Sequence, residues 1–316
     1  MKRLTLLIGG LLVSGAAAYL GAQDANIAQP AARVEALLRD SAMRVVAQEG
    51  SRYKGDRTEH VMLSFDDTTA FDVKWAVAAA GGEAFNNQPR YEAAAYVLQK
   101  LFLDERDYVV PPTVLRMFPP DAFVKGLRGE PTFDDGPAVL VALQLWTMDV
   151  TSEGVFDTKR AERDSVYARH LGDLNILTYL IRQRDANKGN VLMATDSTRP
   201  RLFAVDNGVA FESQPSNRGT EWQNMRVKRV SAATAARLRQ LTGASLTQAL
   251  AVVAQFERRG PDYVPTTLGP SLDGGRGVRR NATTLQLGLT SSEISGVENR
   301  LRDLLKDIER GKIKTF

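Results

Sequence analysis

Three polar residues in the middle of the chain have the types and spacing of a site that handles metal ions or phosphate. Asp185 and Asn190 lie close together, and Asp206 opens a later Asp-Asn-Gly triplet. Between them, the apolar runs 191–194 and 202–205 flank turn-forming residues, which is the pattern of a β-hairpin. A hairpin of this kind predicts that residues at its open end lie near one another in space.

The spacing of the two apolar runs also predicts a register. Antiparallel pairing with the turn between the runs would set Val191 opposite Val205 and Asn190 opposite Asp206. Two carboxylates and one amide oxygen would then share a small region. Asp and Asn are also common turn and cap residues, so a structural role for each is the alternative. An EF-hand calcium loop is excluded, because Gly189 falls where a third oxygen ligand would be needed.

The composition is that of an ordinary globular protein. Its 316 residues are 43% hydrophobic and 25% charged, which is enough chain for two lobes with a sizeable core. A net charge of +4 gives no field strong enough to predict a nucleic-acid partner. The absence of cysteine excludes disulfides and zinc-thiolate sites, and two histidines are too few for a multi-histidine metal site. His60 and His170 are therefore expected to be structural or surface groups.

The first residues predict an exported protein. Residues 1–22 have a basic start, an uncharged run rich in Leu, Ala and Gly, and small residues at the end, which is the layout of a signal peptide. We therefore expect a periplasmic or secreted protein. An uncleaved anchor is the alternative, and membrane contact is expected only in that case. Residues 23–33 are interpreted as a linker.

Residues 34–143 are predicted to be rich in β-strands. Lys74 lies inside one strand pattern, and Glu92 lies near the start of an amphipathic helix pattern. The continuous apolar run near its end is typical of a buried strand. The predicted elements of this region are a short helix near 34–43, strands at 61–65, 71–75, 109–118 and 138–146, and one main helix at 90–105.

Residues 144–316 are predicted to be mostly helical, because the apolar positions recur at helical spacing. The Gly-rich, basic stretch 269–284 is interpreted as a surface loop rather than a phosphate-binding loop, since no strand pattern precedes it. The predicted helices of this region are 165–182, 231–242, 245–258 and 291–311.

This order of elements resembles the bilobal protein-kinase fold, an α+β fold with a β-rich N-lobe, one main helix and a mostly helical C-lobe. Protein kinases carry a catalytic Asp and an Asn five positions later, which match Asp185 and Asn190. Their metal-binding Asp-Phe-Gly matches the triplet at Asp206. Their strand lysine matches Lys74, and the glutamate of their main helix matches Glu92.

The local sequence is closer to atypical members of this superfamily. VDNGVAF, around Asp206, is similar to the metal-binding segment of type II phosphatidylinositol 4-kinases and of secretory-pathway Golgi casein kinases. YEAAAYVLQKLF followed by VVPPTV is similar to the glutamate helix and next strand of the lipid enzymes. The resemblance covers most of residues 50–215 and implies an N-lobe at 34–143 and a C-lobe at 144–316.

The resemblance implies an enzyme that transfers the γ-phosphate of ATP to a hydroxyl group of an unknown protein, small molecule or lipid. Asp185 would act on the acceptor hydroxyl, and Asn190 and Asp206 would hold Mg²⁺ or Mn²⁺. Lys74 would contact the phosphates of ATP, with Glu92 fixing its direction. The alternative is a kinase-like nucleotide-binding or scaffold protein without catalytic activity.

The sequence departs from the kinase pattern at several positions. Gln183 stands where protein kinases have the histidine before the catalytic loop, and Asn207 replaces the Phe of Asp-Phe-Gly. No Ala-Pro-Glu segment follows, so activation-loop control is not predicted. The loop covering the phosphates would be 49–60, which contains only two glycines. Adenine is expected near residues 143–146.

Overall fold

The computed structural model describes residues 26–27, 29–50, 58–119, 129–211 and 219–316. The predicted signal peptide and most of the predicted phosphate-covering loop lie outside these ranges. Within them, no helix is both long enough and apolar enough to cross a membrane.

A five-stranded antiparallel sheet, which we call the N-sheet, forms the first half of the fold, with strand order β1-β2-β3-β5-β4. Two helices accompany it. The elements are α1 (Ala31–Asp40), β1 (Arg44–Gly50), β2 (Thr58–Ser64), β3 (Ala70–Val77), α2 (Pro89–Gln99), β4 (Thr113–Phe118) and β5 (Val139–Leu145). The predicted lobe boundary at 143/144 falls within β5, and α1 begins inside the predicted linker.

Alternation along the strands divides the N-sheet into two faces. On β3, Val73 and Trp75 are buried on the face that α1 covers through Val34 and Leu38. Ala76 lies on the other face, in a separate apolar cluster that includes residues of α2. Because side chains alternate along a strand, Lys74 shares this second face and points away from the α1 core.

The second half is built around α4, which begins at an N-cap Asp164 whose carboxylate accepts the backbone N–H of Tyr167 at 2.9 Å. A long amphipathic helix, α7, packs against it. The elements are β6 (Val150–Thr151), α3 (Thr158–Arg163), α4 (Ser165–Leu180), β7 (Val191–Ala194), β8 (Leu202–Ala204), β9 (Arg229–Val230), α5 (Ala232–Leu238), α6 (Gly243–Leu250), β10 (Ala254–Arg259), β11 (Asp262–Pro265), β12 (Val278–Arg280), β13 (Thr284–Leu287), α7 (Ser291–Glu309) and β14 (Lys314–Thr315).

The α+β class is confirmed, but two predictions in the C-terminal part are wrong. The predicted helix 245–258 ends at Leu250, and its second half forms β10; the predicted loop 269–284 contains β12 and the first residue of β13. These strands join β11 in a four-stranded antiparallel sheet, the C-sheet, of order β11-β10-β13-β12. Its buried Phe256, Leu285 and Leu287 pack against the second face of the N-sheet.

The β7–β8 hairpin is confirmed, and its predicted register is wrong by one residue. Val191 pairs with Ala204 rather than Val205. Consequently Asn190 lies opposite Val205, whose N–H donates to the Asn190 carbonyl at 2.9 Å. Asp206 therefore follows the paired residues instead of facing Asn190. The shift arises at the turn, which is closed by a hydrogen bond from Ala194 N to Arg201 O.

Candidate active site

The centre of the candidate site is a three-way contact between distant parts of the chain. Lys74 Nζ lies 2.7 Å from Glu92 Oε1 and 2.8 Å from Asp206 Oδ1. These contacts join β3, α2 and the segment after β8. The side chains of Lys74 and Glu92 are almost fully buried, whereas that of Asp206 is 54% exposed. The contact is thus buried at one end and accessible to solvent at the other.

The electrostatics favour the ionised form of both partners. Burial alone would lower the pKa of Lys74, but the carboxylates of Asp206 and Glu92 raise it above its usual value. The positive charge of Lys74 holds the pKa of Asp206 below its usual range, against the opposing effect of burial. At neutral pH the site therefore presents an ammonium group and an ionised carboxylate side by side.

Glu92 also fixes the backbone of the Asp-Asn-Gly triplet. Its Oε2 accepts the N–H of Asn207 at 2.9 Å, while its Oε1 binds Lys74. Asn207 is fully buried, and its Nδ2 donates to the carbonyl of Ala204 at 3.2 Å. A polar Asn thus occupies, with hydrogen bonds, the position where most kinases have Phe.

Gln183 connects the triplet to the loop that carries Asp185. This fully buried side chain donates from Nε2 to the carbonyl of Asp206 at 2.9 Å and to Asn207 Oδ1 at 3.0 Å. Its Oε1 accepts the N–H of Asp185 at 3.2 Å. One amide side chain therefore bonds both to the segment of Asp185 and to that of Asp206, which gives Gln183 a structural role at this position.

Two asparagine side chains orient the carboxylate of Asp185. Asn190 Nδ2 donates to the Asp185 carbonyl at 2.7 Å and lies 3.3 Å from its Oδ2. Asn187 Nδ2 lies 3.2 Å from Asp185 Oδ1. Since the amide nitrogen of Asn190 makes these contacts, its Oδ1 does not take part in them. Asp185 and Asn190 are therefore held together, as the sequence predicts.

Asp206 has a backbone conformation that few residues other than glycine adopt, with φ of 57°. A non-glycine residue in the left-handed region costs free energy, and such residues concentrate at functional sites. The hydrogen bonds that Gln183 and Glu92 make to Asp206 and Asn207 hold this conformation. In this conformation the Asp206 carboxylate contacts Lys74.

By themselves, the described residues do not complete a site for a divalent cation. Among the described residues, no group of three or more His, Cys, Asp or Glu side chains could hold a metal ion alone. Asp206 offers one ionised, half-exposed carboxylate, and Asn190, which lies opposite Val205 rather than Asp206, offers an amide oxygen. Mg²⁺ commonly takes one or two protein oxygens and fills its other positions with phosphate oxygens and water.

His60, predicted to be a structural or surface group, lies beside Lys74 and contacts Trp146, which belongs to the range where adenine was predicted. His60 pairs directly with Lys74 across β2 and β3, so both side chains share one face of the sheet. The His60 ring stacks on Trp146 with 4.3 Å between centroids, and its Nε2 lies 3.2 Å from Asp72 Oδ1. Trp146 follows β5 directly and is 40% exposed. Only the strand register, which the sequence did not provide, reveals this aromatic pair.

Comparisons with known proteins agree with the fold. No protein-family model and no curated protein matches the sequence. Among solved structures, the chain is similar to the structure of hydra Fam20 with sugar, with a TM-score of 0.50, 16% sequence identity and 87% of each chain covered. Fam20 belongs to the secretory-pathway Golgi casein kinases. The fold is kinase-like.

This similarity confirms the bilobal, kinase-like α+β fold that the resemblance implies. It agrees with the predicted similarity to Golgi casein kinases and gives no support to type II phosphatidylinositol 4-kinases. At 16% identity it concerns the fold, and the roles of individual residues depend on the geometry described above.

Proposed function

We propose that this protein is an atypical kinase that transfers the γ-phosphate of ATP to a hydroxyl group, with Mg²⁺ or Mn²⁺ as the required metal ion. The observation that carries the proposal is the contact of Lys74 Nζ with both Glu92 and Asp206, at 2.7 and 2.8 Å. It joins a sheet lysine, a helix glutamate and a hairpin-end aspartate, which is the combination that phosphoryl transfer on a kinase-like fold requires.

Each residue has a role that its surroundings support. Lys74 is held ionised and would neutralise charge on the phosphates, with Glu92 keeping its ammonium group in place. Asp206 and Asn190 would hold the metal ion, which when bound neutralises charge on the transferred phosphate. Asp185, oriented by two asparagine amides, would accept a hydrogen bond from the acceptor hydroxyl and align it for attack.

The exposed face of Trp146 supports a position for the nucleotide base. Trp146 lies beside Asp72, and its backbone N–H donates to the Asp72 carbonyl at 2.9 Å. Asp72 is two residues before Lys74 and lies on the same face of β3. Two residues of strand span roughly 6.6 Å, so Trp146 and Lys74 lie near each other on one face of the sheet. The adenine predicted near 143–146 would therefore stack on the pair of Trp146 and His60, because Leu143 and Leu145 are buried.

The acceptor is proposed only as a class of compound, one that carries a hydroxyl group. The hydra Fam20 structure contains a sugar, so sugar hydroxyls belong in the acceptor screen beside serine-containing proteins and inositol lipids. Export, which rests on residues 1–22, remains part of the proposal and would place the acceptor outside the cytoplasm.

The test is incubation of the purified protein with ATP labelled on the γ-phosphate, with Mg²⁺ or Mn²⁺. We expect label to appear on the protein, on an added acceptor or as inorganic phosphate. Asp185→Ala should reduce this rate by a factor of about 10² to 10⁴, the usual contribution of a positioned acid or base. Asp196→Ala is the matched control, since Asp196 lies in the turn of the same hairpin, where its carboxylate accepts the N–H and the hydroxyl of Thr198 at 2.9 and 2.7 Å.

Absence of label transfer under every metal condition would contradict the kinase proposal. If nucleotide still bound tightly, the result would support the alternative of a kinase-like binding or scaffold protein. Equal losses in Asp185→Ala and Asp196→Ala would remove Asp185 from the proposed mechanism.

A further inference from the structure

Helix α2 carries a second ion pair, on the side away from the candidate site. Arg90 donates from Nη1 to Glu293 Oε2 at 2.7 Å and from Nη2 to Glu293 Oε1 at 2.9 Å. The two side chains are 6% and 11% exposed. This geometry is bidentate, which fixes the direction of the guanidinium plane as well as its position.

The remaining donors of Arg90 are also bound. Its Nε donates to Glu83 Oε2 at 2.6 Å, and its Nη1 donates to the carbonyl of Gly288 at 3.2 Å. A Cβ at Gly277 would lie 2.2 Å from Arg90 Nε, so the backbone there passes directly against the guanidinium. Residues that precede α2 and residues of the C-terminal segment thus surround the same side chain.

The C-terminal side of this contact is itself firmly held. Glu293 is in the first turn of α7, where its Oε2 accepts the N–H of Thr290 at 2.7 Å in a capping box. The C-sheet that precedes α7 packs against the N-sheet and against Ala93 of α2. Segment 254–293 therefore touches α2 through both a charged and an apolar contact.

The geometry of a helix links this contact to the candidate site. Arg90 and Glu92 are two residues apart, so their side chains leave α2 about 200° apart around its axis. Glu293 consequently binds one side of the helix while Lys74 and the Asn207 N–H bind the other. A rotation of α2 that frees Arg90 would also move Glu92.

We propose that Arg90 and Glu293 are positioning residues that set the rotation of α2, so that segment 254–293 keeps Glu92 bound to Lys74 and to the Asn207 N–H. The direction of Glu92 toward Lys74 would then depend on this segment. The inference deepens the proposed function and rests on it only for the use of that contact in phosphate binding.

The electrostatics around Arg90 agree with a positioning role for the Arg90–Glu293 pair. Burial opposes ionisation of Glu293, but the hydrogen bonds and positive charge of Arg90 hold its pKa below the usual value. Burial and the nearby Glu293 raise the pKa of Tyr91 against the effect of Arg90, and the hydroxyl of Tyr91 donates to Glu293. The network therefore brings the guanidinium of Arg90 together with the carboxyl groups of Glu293 and Glu83 and the hydroxyl of Tyr91.

The test measures amide hydrogen exchange by NMR in the full chain without nucleotide. Glu293→Gln keeps the shape of the side chain and removes its charge. The N–H of Asn207 donates to Glu92 in the wild type. In Glu293→Gln we expect this amide proton to exchange on the order of tenfold faster, relative to buried amides of α4. Arg90→Lys, which keeps the charge but loses the bidentate geometry, should show the same effect at smaller size.

The matched control is Arg280→Gln. Arg280 is in β12 of the C-sheet and pairs with Asp134 at 3.1 Å and Asp135 at 3.0 Å, outside α2. Arg280→Gln should leave unchanged the ratio between the exchange rate of the Asn207 N–H and the exchange rates of the α4 amides.

An unchanged Asn207 amide in Glu293→Gln would overturn the proposal. So would equal acceleration in Asn207 and α4, or the same ratio in Arg280→Gln, because either result means general destabilisation. The exchange measurement needs no nucleotide, so it can fail while label transfer succeeds and can succeed while label transfer fails.

Discussion

The two ion pairs of α2 differ in how far the charged groups around them are exposed to solvent. The outer pair, Arg90 with Glu293, is enclosed by Glu83 and by backbone carbonyls. In the pair at the candidate site, Lys74 with Glu92, the ammonium group of Lys74 also contacts Asp206, which is half exposed. A buried pair that only fixes geometry gains from complete enclosure, because every polar group must be satisfied. A pair that must receive a ligand needs one charged group that water or phosphate can reach.

The largest expected effect is on stability, and it should differ between the two pairs. Arg90→Ala leaves the buried Glu293 without its cation, so we expect the free energy of unfolding to fall by about 3 to 5 kcal/mol. Lys74→Met also leaves the buried Glu92 without its cation, but it removes two hydrogen bonds where Arg90→Ala removes six, so we expect a smaller loss. Urea unfolding at pH 7 measures both. A greater loss in Lys74→Met than in Arg90→Ala would contradict the comparison.

A buried carboxyl group without a cation partner provides the next contrast. Burial raises the pKa of Asp173 to about 7, although Thr234 Oγ1 donates to its Oδ1 at 2.8 Å. The native state therefore holds a proton that the unfolded state releases, and stability should fall as pH rises from about 4 to 7. The loss is a few kcal/mol, at about 1.4 kcal/mol for each pKa unit.

The ion-paired carboxylates should behave in the opposite way. The pKa values of Asp206 and Glu293 are lowered, so their stabilising contribution is present above the unfolded pKa and is lost as pH falls through the folded one. Asp173→Asn should remove the decline between pH 4 and 7 and leave the acid loss intact. Unfolding free energies measured across this range test both signs. A decline that persists in Asp173→Asn would show that another group causes it.

The smallest expected effect concerns Trp146, the exposed ring near Lys74. Trp146→Ala should weaken ATP binding by 0.5 to 1.5 kcal/mol, about two- to tenfold in Kd, if the base stacks on this ring. Calorimetric titration measures the change. Met148→Ala is the control, since Met148 is also exposed and follows Trp146 by two residues. Unchanged affinity in Trp146→Ala, or an equal loss in Met148→Ala, would move the base elsewhere.

The sequence predicted the parts of this fold that local patterns determine. The β7–β8 hairpin, the main helix with Glu92 and the strand with Lys74 all follow from periodicity, and the kinase-like order of elements is confirmed. The hairpin register was wrong because one residue at the turn decides it. The roles assigned to Asp185 and Asn190 remain predictions.

The C-sheet could not be predicted, because its stability comes from distant residues. The segment 245–258 contains a helix and a strand, and the alternation around Phe256 is too short to separate them by pattern. Arg90 and Glu293 are 203 positions apart, and no local signal connects them. Gln183 was counted as a departure from the kinase pattern, and its role became visible only through its hydrogen bonds.

The central claim is that Asp206 and Asn190 hold a metal ion together with a nucleotide bound at Lys74. The most direct measurement is an electron paramagnetic resonance titration of the protein with Mn²⁺ in the presence and absence of ATP. We predict Mn²⁺ binding that depends on ATP in the wild type, is lost in Asp206→Ala and is retained in Asp185→Ala. Mn²⁺ and ATP binding that survives Asp206→Ala unchanged, or that never occurs in the wild type, would contradict the account.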